Sequence, residues 1–111
     1  MRPLAIIISS DRLGTGDDEI GEVLIQNFLK GLLRPSEKPA SLFLVNRGVM
    51  LARESSPASE FLGELQEEGV EILLCQTCVN YYDIGKEVAV GQISGMDRMI
   101  ELMMTCRTIF L

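Results

Sequence analysis

The 111-residue sequence predicts an α/β protein, a three-layer α/β/α domain on a mostly parallel five-stranded sheet. Three observations carry this. Short continuous apolar runs such as "LAIII" alternate with longer segments of helical periodicity. The segments between runs are long enough to be crossover helices, which neighbouring parallel strands require. Apolar residues make up 47% of the chain and charged residues 23%, a globular balance in which one core fits a single domain spanning residues 1–111.

"PLAIIISS" reads as a first strand buried on both faces. "DDEIGEVLIQNFLKGLLR" follows as a helix, with Ile20, Val23, Leu24, Phe28 and Leu32 at helical spacing and acids in a first turn that suits the helix dipole. Pro35 ends it. "ASLFLVN" is the second strand and "RGV" the turn off its end. Ser56 is placed as an N-cap, with Pro57 opening a helix that stops at Gly69. "VEILLC" is the third strand, a short helix is expected after Cys78, and "VAVGQ" is a fourth strand. Ser94 and Asp97 are spaced as a capping box for "GMDRMIELMMTC", and "RTIFL" closes the sheet.

Composition excludes several function classes. A formal charge of −6, spread along the chain, offers no electrostatic footprint for a phosphate backbone, so nucleic acid is not an expected partner. No apolar run approaches the roughly 20 residues of a membrane helix, and the stretch after Arg2 is too short for a signal peptide. Three cysteines in a chain of this size argue against a disulfide scaffold and for a reduced, cytoplasmic setting.

Ligands of open parallel sheets bind beyond the carboxyl ends of the strands. The first such end, "SSDRLGTGDDEIG", lacks the dinucleotide fingerprint and any Lys-Ser or Lys-Thr. Asp17, Asp18 and Glu19 would repel a phosphate at the helix start. That loop is either a tight turn or a wall of the site built from Asp11, Gly14 and Gly16. The second end, "VNRGV", sets Asn46 and Arg47 before Gly48, either as a turn or to hold a loop and a positive charge against the site.

The third end is "CQTC". Cys75 ends a strand, and Cys78 falls near the start of the following helix, where backbone N–H groups favour a thiolate. With no histidine in the chain, any activation comes from the helix end, backbone donors or a nearby cation. Four readings stand open: zinc ligands short of the needed four, a thioredoxin-type dithiol, two packed structural cysteines, and a sulfur carrier. The carrier reading is favoured, and Cys106 reads as a core residue.

"SSDRLGTGDDEIGEVLIQNFL", "LVNRGVMLA", "GVEILLCQTC" and "VGQISGM", in this order and spacing, resemble the DsrE/DsrF-like domain, and within it the C-terminal domain of YedF-type, sulfurtransferase-like selenium-metabolism proteins. The resemblance runs from Pro3 to the final "TIFL". It implies a DsrE-like fold, a homo-oligomer (trimer or hexamer), and transfer of sulfane sulfur as a persulfide. Cys75 takes the position of the family's sulfur-carrying cysteine and Cys78 that of the second YedF-type thiol. Asp11, Gly14, Gly16, Asn46 and Gly48 match motif positions at the same sheet edge. No metal or organic cofactor is implied. YedF-type proteins also carry an N-terminal TusA-like domain, whereas here the first strand begins almost at Met1. A TusA-like sulfur carrier is thus expected as a separate partner, or the sequence is a piece of a longer chain. The family also favours Gly where Asp83 stands. A non-catalytic homo-oligomeric interaction module is the rival reading and a dithiol redox protein the third.

Overall fold

Five strands make one sheet: β1 (Leu4–Ile8), β2 (Ser41–Leu44), β3 (Glu71–Cys75), β4 (Gln92–Ser94) and β5 (Arg107–Phe110). Their spatial order is β4-β3-β2-β1-β5, and every neighbouring pair is parallel. The structure, a computed structural model, describes residues 2–111, so Met1 of the expected domain lies outside the described residues. The sheet is wholly parallel where a mostly parallel one is expected. β1, β2 and β3 fit its centre because their side chains are apolar on both faces; Ile7, Ile8, Leu42, Phe43, Leu44, Ile72 and Leu74 are all nearly or fully buried. The exception, Ser41, is buried but donates its hydroxyl to Glu71 Oε1 at 3.0 Å.

Four helices, α1 (Asp18–Gly31), α2 (Ala58–Glu67), α3 (Gln76–Tyr82) and α4 (Met96–Thr105), and a 3-10 segment, Asn46–Ala52, make the connections. The steps β1 to β2 to β3 to β4 all run one way across the sheet, and the last step, β4 to β5, returns across its full width. Right-handed crossovers then put α1 and α2 on one face and α4 on the other. α1 and α2 accordingly pack against each other. No helix of the described residues is long and apolar enough to cross a membrane.

Several local expectations are revised. α1 turns Gly21, Ile25 and Leu29 toward the core, while Ile20, Val23 and Leu24 stay 40–52% exposed. The buried stripe begins at Gly21, whose missing side chain lets α1 approach Arg12 and Leu13 of the preceding loop. β4 lies at Gln92–Ser94 and not over "VAVGQ"; Val88 instead makes a lone antiparallel bridge with Arg53. Gly91, at φ +87°, turns the chain between them. The Ser94–Asp97 capping box does not form, because Ser94 is committed to the sheet opposite Cys75 and Gly95 precedes α4 without a side-chain cap. At α2, Pro57 already has helical angles and Ser56 Oγ accepts the Ala58 N–H at 3.2 Å, as a cap should.

Gly91 allows no side chain: a Cβ would lie 2.7 Å from Leu74 Cδ1 and 2.8 Å from the Ile72 carbonyl oxygen, on a backbone that already disfavours one. Gly91→Ala is expected to cost about 2 kcal/mol through overpacking and left-handed strain. In thermal unfolding this lowers the midpoint by roughly 10 °C for a domain of this size. An unchanged midpoint contradicts the packing described for β4.

Candidate functional site

The segments that leave β1, β2 and β3 meet at the carboxyl edge of the sheet. Cys75 is both the last residue of β3 and the residue from which α3 springs, with extended angles (φ −62°, ψ 121°). α3 begins at Gln76, three residues earlier than the sequence implies, so Cys78 sits in its first turn. Tyr82 lies four residues further along, on the same helical face.

β2 supplies the facing wall. Val45 remains extended, and its N–H donates to the Ile8 carbonyl at 3.0 Å. Asn46 then takes a left-handed conformation, φ +54°, which asparagine tolerates better than most residues. That kink aims its backbone N–H at Cys78 Sγ, 3.0 Å away. Its side-chain oxygen accepts the Tyr82 hydroxyl at 3.0 Å, so one residue holds two points of α3. Gly48 is buried against the end of β1, where a Cβ would fall on the Ile8 carbonyl oxygen. The close approach of β2's exit to β1 therefore requires glycine there.

Arg47 closes the site from above. Its guanidinium lies 5.6 Å from the centre of the Tyr82 ring, within reach of a cation–π contact. Its Nε and Nη2 donate to the two Asp11 oxygens at 3.3 and 3.1 Å. Asp11, from the β1 loop, is thereby linked through Arg47, Tyr82 and Asn46 to the thiols. The Asp11 carboxylate also raises the Arg47 pKa further above its ordinary value.

The two sulfurs differ in access. Cys75 is 4% exposed. Cys78 is half-buried and lines a surface hollow of about 360 Å³ with Asn46, Thr77, Tyr81 and Tyr82. A larger hollow, about 540 Å³, lies against Asp17, Asp18, Glu19, Ile20 and Val23 at the start of α1; it is acidic and contains no nucleophile. All three cysteines are free thiols.

A helix start favours a thiolate, but at Cys78 other effects prevail. Burial pushes its pKa up, and the neighbouring Cys75 thiol pushes the same way; only the Asn46 N–H opposes them. Cys78 therefore rests as a thiol.

Of the residues singled out in the sequence, the structure brings together Cys75, Cys78, Asn46 and, through Arg47, Asp11. Gly48 sits beneath them as a backbone contact. Gly14 and Gly16 lie on the exposed part of the β1 loop with open space around them; Gly14 serves a positive φ of +87°. Cys106 is a core residue at the end of α4, 8% exposed. Tyr82 was not foreseen as a site residue, although its spacing of four from Cys78 on a helix is a signal for it. Beside it on α3, Tyr81 is 81% exposed. Among the described residues, no three His, Cys, Asp or Glu side chains converge as metal ligands.

A wholly parallel α/β sandwich with a paired thiol at the end of a central strand defines the class, a small open-sheet domain with its site at a βα junction. The chain belongs to the DsrE/DsrF-like family, whose profile matches residues 10–110. Among solved structures it is similar to the protein of unknown function MTH1491 from Methanobacterium thermoautotrophicum, with 17% identity, a TM-score of 0.73 and full coverage of both chains. The ychN protein from E. coli is similar too, at 15% identity and a TM-score of 0.70, again with full coverage of both chains. At these identities the likeness is one of fold. No curated protein matches the sequence.

The raised pKa of Cys78 has a defined sign. Its stabilising contribution is complete below the ordinary thiol pKa of about 8.5 and is lost as pH rises through the higher folded-state value. Alkylation of Cys78 in the folded protein should therefore reach half its maximal rate at a higher pH than in the unfolded chain. Denaturant midpoints should fall over the same alkaline range. Coinciding alkylation profiles for the folded and unfolded chain sink this account.

Proposed function

We propose that the protein is a sulfur-relay domain that holds sulfane sulfur as a cysteine persulfide on the Cys75–Cys78 pair and passes it to a partner. The single observation that supports this best is the placement of two free thiols at one βα junction, Cys75 at the end of a central parallel strand and Cys78 in the first turn of the helix that follows, the second of them open to a hollow. Persulfide transfer needs a sulfur nucleophile, a donor that can reach it and a pocket that shields the product. The Asn46 N–H offers a fixed donor for negative charge on sulfur. No step calls for a metal or organic cofactor.

Within the family, the closest relation we infer is to YedF-type selenium-metabolism proteins, so sulfur and selenium are both candidate cargoes. A reducing compartment, the cytoplasm, suits free thiols. The exchange partner we infer is a TusA-like sulfur carrier. Incubation of the reduced protein with a low-molecular-weight persulfide should add one sulfur atom to the intact mass, lost when both Cys75 and Cys78 are replaced by Ser. A wild-type mass that never changes rules the carrier out and leaves the interaction module.

We also infer a homo-oligomer, trimer or hexamer. Ile20 and Val23 on α1, Met96, Ile100 and Met104 on α4, and Ile109 and Phe110 on β5 are all 46–75% exposed, several large apolar side chains on each of three elements. The β5 strand is also an unpaired sheet edge. Sedimentation should give a multiple of 12.3 kDa. Ile100→Glu combined with Met104→Glu, both solvent-facing in one subunit, should lower that mass without unfolding the chain; a monomeric wild type contradicts the inference.

A further inference from the structure

We propose that the two thiols act in a fixed order: Cys78 is the loading thiol that meets the donor, and Cys75 is the buried thiol to which the sulfur then moves. This rests on the sulfur-carrier reading and goes beyond it, because the family resemblance assigns the cargo to Cys75 and says nothing of how it arrives.

Access carries the argument. A nucleophile must reach the outer sulfur of its donor in line with the bond being broken, and rates of thiol–disulfide exchange depend on that access. Cys75 is 4% exposed, packed in the core cluster and absent from the lining of the hollow. Cys78, three residues on, lines it. The mouth is framed by the exposed Tyr81 and by Tyr82, their rings edge to face with centroids 5.0 Å apart, so a donor arriving from solvent meets Cys78 first.

In the first step, Cys78 sulfur attacks the outer sulfur of a donor R–S–SH. The new bond is Cys78 S–S, the donor's own S–S bond breaks, and the Cys78 proton leaves with the donor as R–SH. In the second step, Cys75 sulfur attacks the outer sulfur of the Cys78 persulfide. The Cys75 S–S bond forms, the Cys78 S–S bond breaks, and the Cys75 proton passes to the Cys78 sulfur. Both steps conserve sulfur, electrons and protons and require no added oxidant or reductant. The Asn46 N–H, 3.0 Å from Cys78 Sγ, stabilises the charge that appears on that sulfur whenever it departs as the leaving group. Cys75 then keeps the sulfur away from water and from stray thiols, and release runs the same path outward.

The test loads wild type, Cys75→Ser and Cys78→Ser with cysteine persulfide, quenches with iodoacetamide, and locates the sulfur by fragmentation between Cys75 and Cys78. Cys75→Ser should still take up sulfur, all of it held on Cys78. Cys78→Ser should load at least about tenfold more slowly, because its remaining thiol is buried. Should a variant fail to fold, the wild-type time course decides: sulfur appears on Cys78 first and on Cys75 afterwards. The order is overturned if Cys75→Ser takes up nothing while Cys78→Ser loads normally, or if wild type is labelled first on Cys75; either result leaves the carrier reading intact. If wild type takes up no sulfur at all, the carrier reading fails and the order falls with it.

Discussion

The hydrogen bond from the Asn46 N–H to Cys78 Sγ joins two chain segments that the sheet alone would leave as separate loop ends. It exists only because β2 leaves the sheet through a left-handed residue, and that exit is held down by Gly48 against the β1 carbonyl. From this bond the other contacts follow outward: Tyr82 to the Asn46 side chain, Arg47 over Tyr82, Asp11 to Arg47. The outer members are half-exposed, and ion pairs of that kind contribute at most about 1 kcal/mol each. Their effect is to fix positions more than to stabilise the fold, whose strength comes from the apolar residues of the three central strands.

Much of this was legible in the chain. Continuous apolar runs identified β1, β2 and β3 because strands buried on both faces cannot alternate, and the same logic placed Cys75 at a strand end. Pro57 and Ser56 marked the start of α2 through backbone chemistry that needs no tertiary partner. What was not legible depended on partners far away in sequence. "VAVGQ" has the composition of a strand, yet the close approach of Gly91 to Ile72 and Leu74 moves the paired residues on to Gln92–Ser94. Ser94 and Asp97 have capping-box spacing, but pairing beside Cys75 claims Ser94 first.

The site divides in the same way. Cysteine spacing and the strand-end position pointed to the thiols, and Asn46 and Asp11 came from their places at neighbouring strand ends. The charge state of Cys78 did not follow from its place at a helix start, because burial and the second thiol outweigh seven residues of helix. Tyr82 joins the site only because α3 starts at Gln76 and brings it one turn after Cys78. Asp83 is an instructive case: it takes left-handed angles, φ 53° and ψ 46°, to end α3. Glycine at that position, as the resemblance favours, would serve the same backbone need, so the departure is a change of residue without a change of geometry.

The β1–β5 pairing has a consequence for how the chain reaches this state. Leu4 lies beside Arg107, and the Ser9 hydroxyl donates to the Leu111 carbonyl at 2.6 Å across 102 positions of sequence. Loop-closure entropy grows with separation, so this is the most expensive pairing of the sheet to nucleate. The three strands whose ends meet at the site pair in sequence order and are complete by Cys75. On a growing chain the hollow beside Cys78 can therefore assemble while the strand that seals the far edge is still being made.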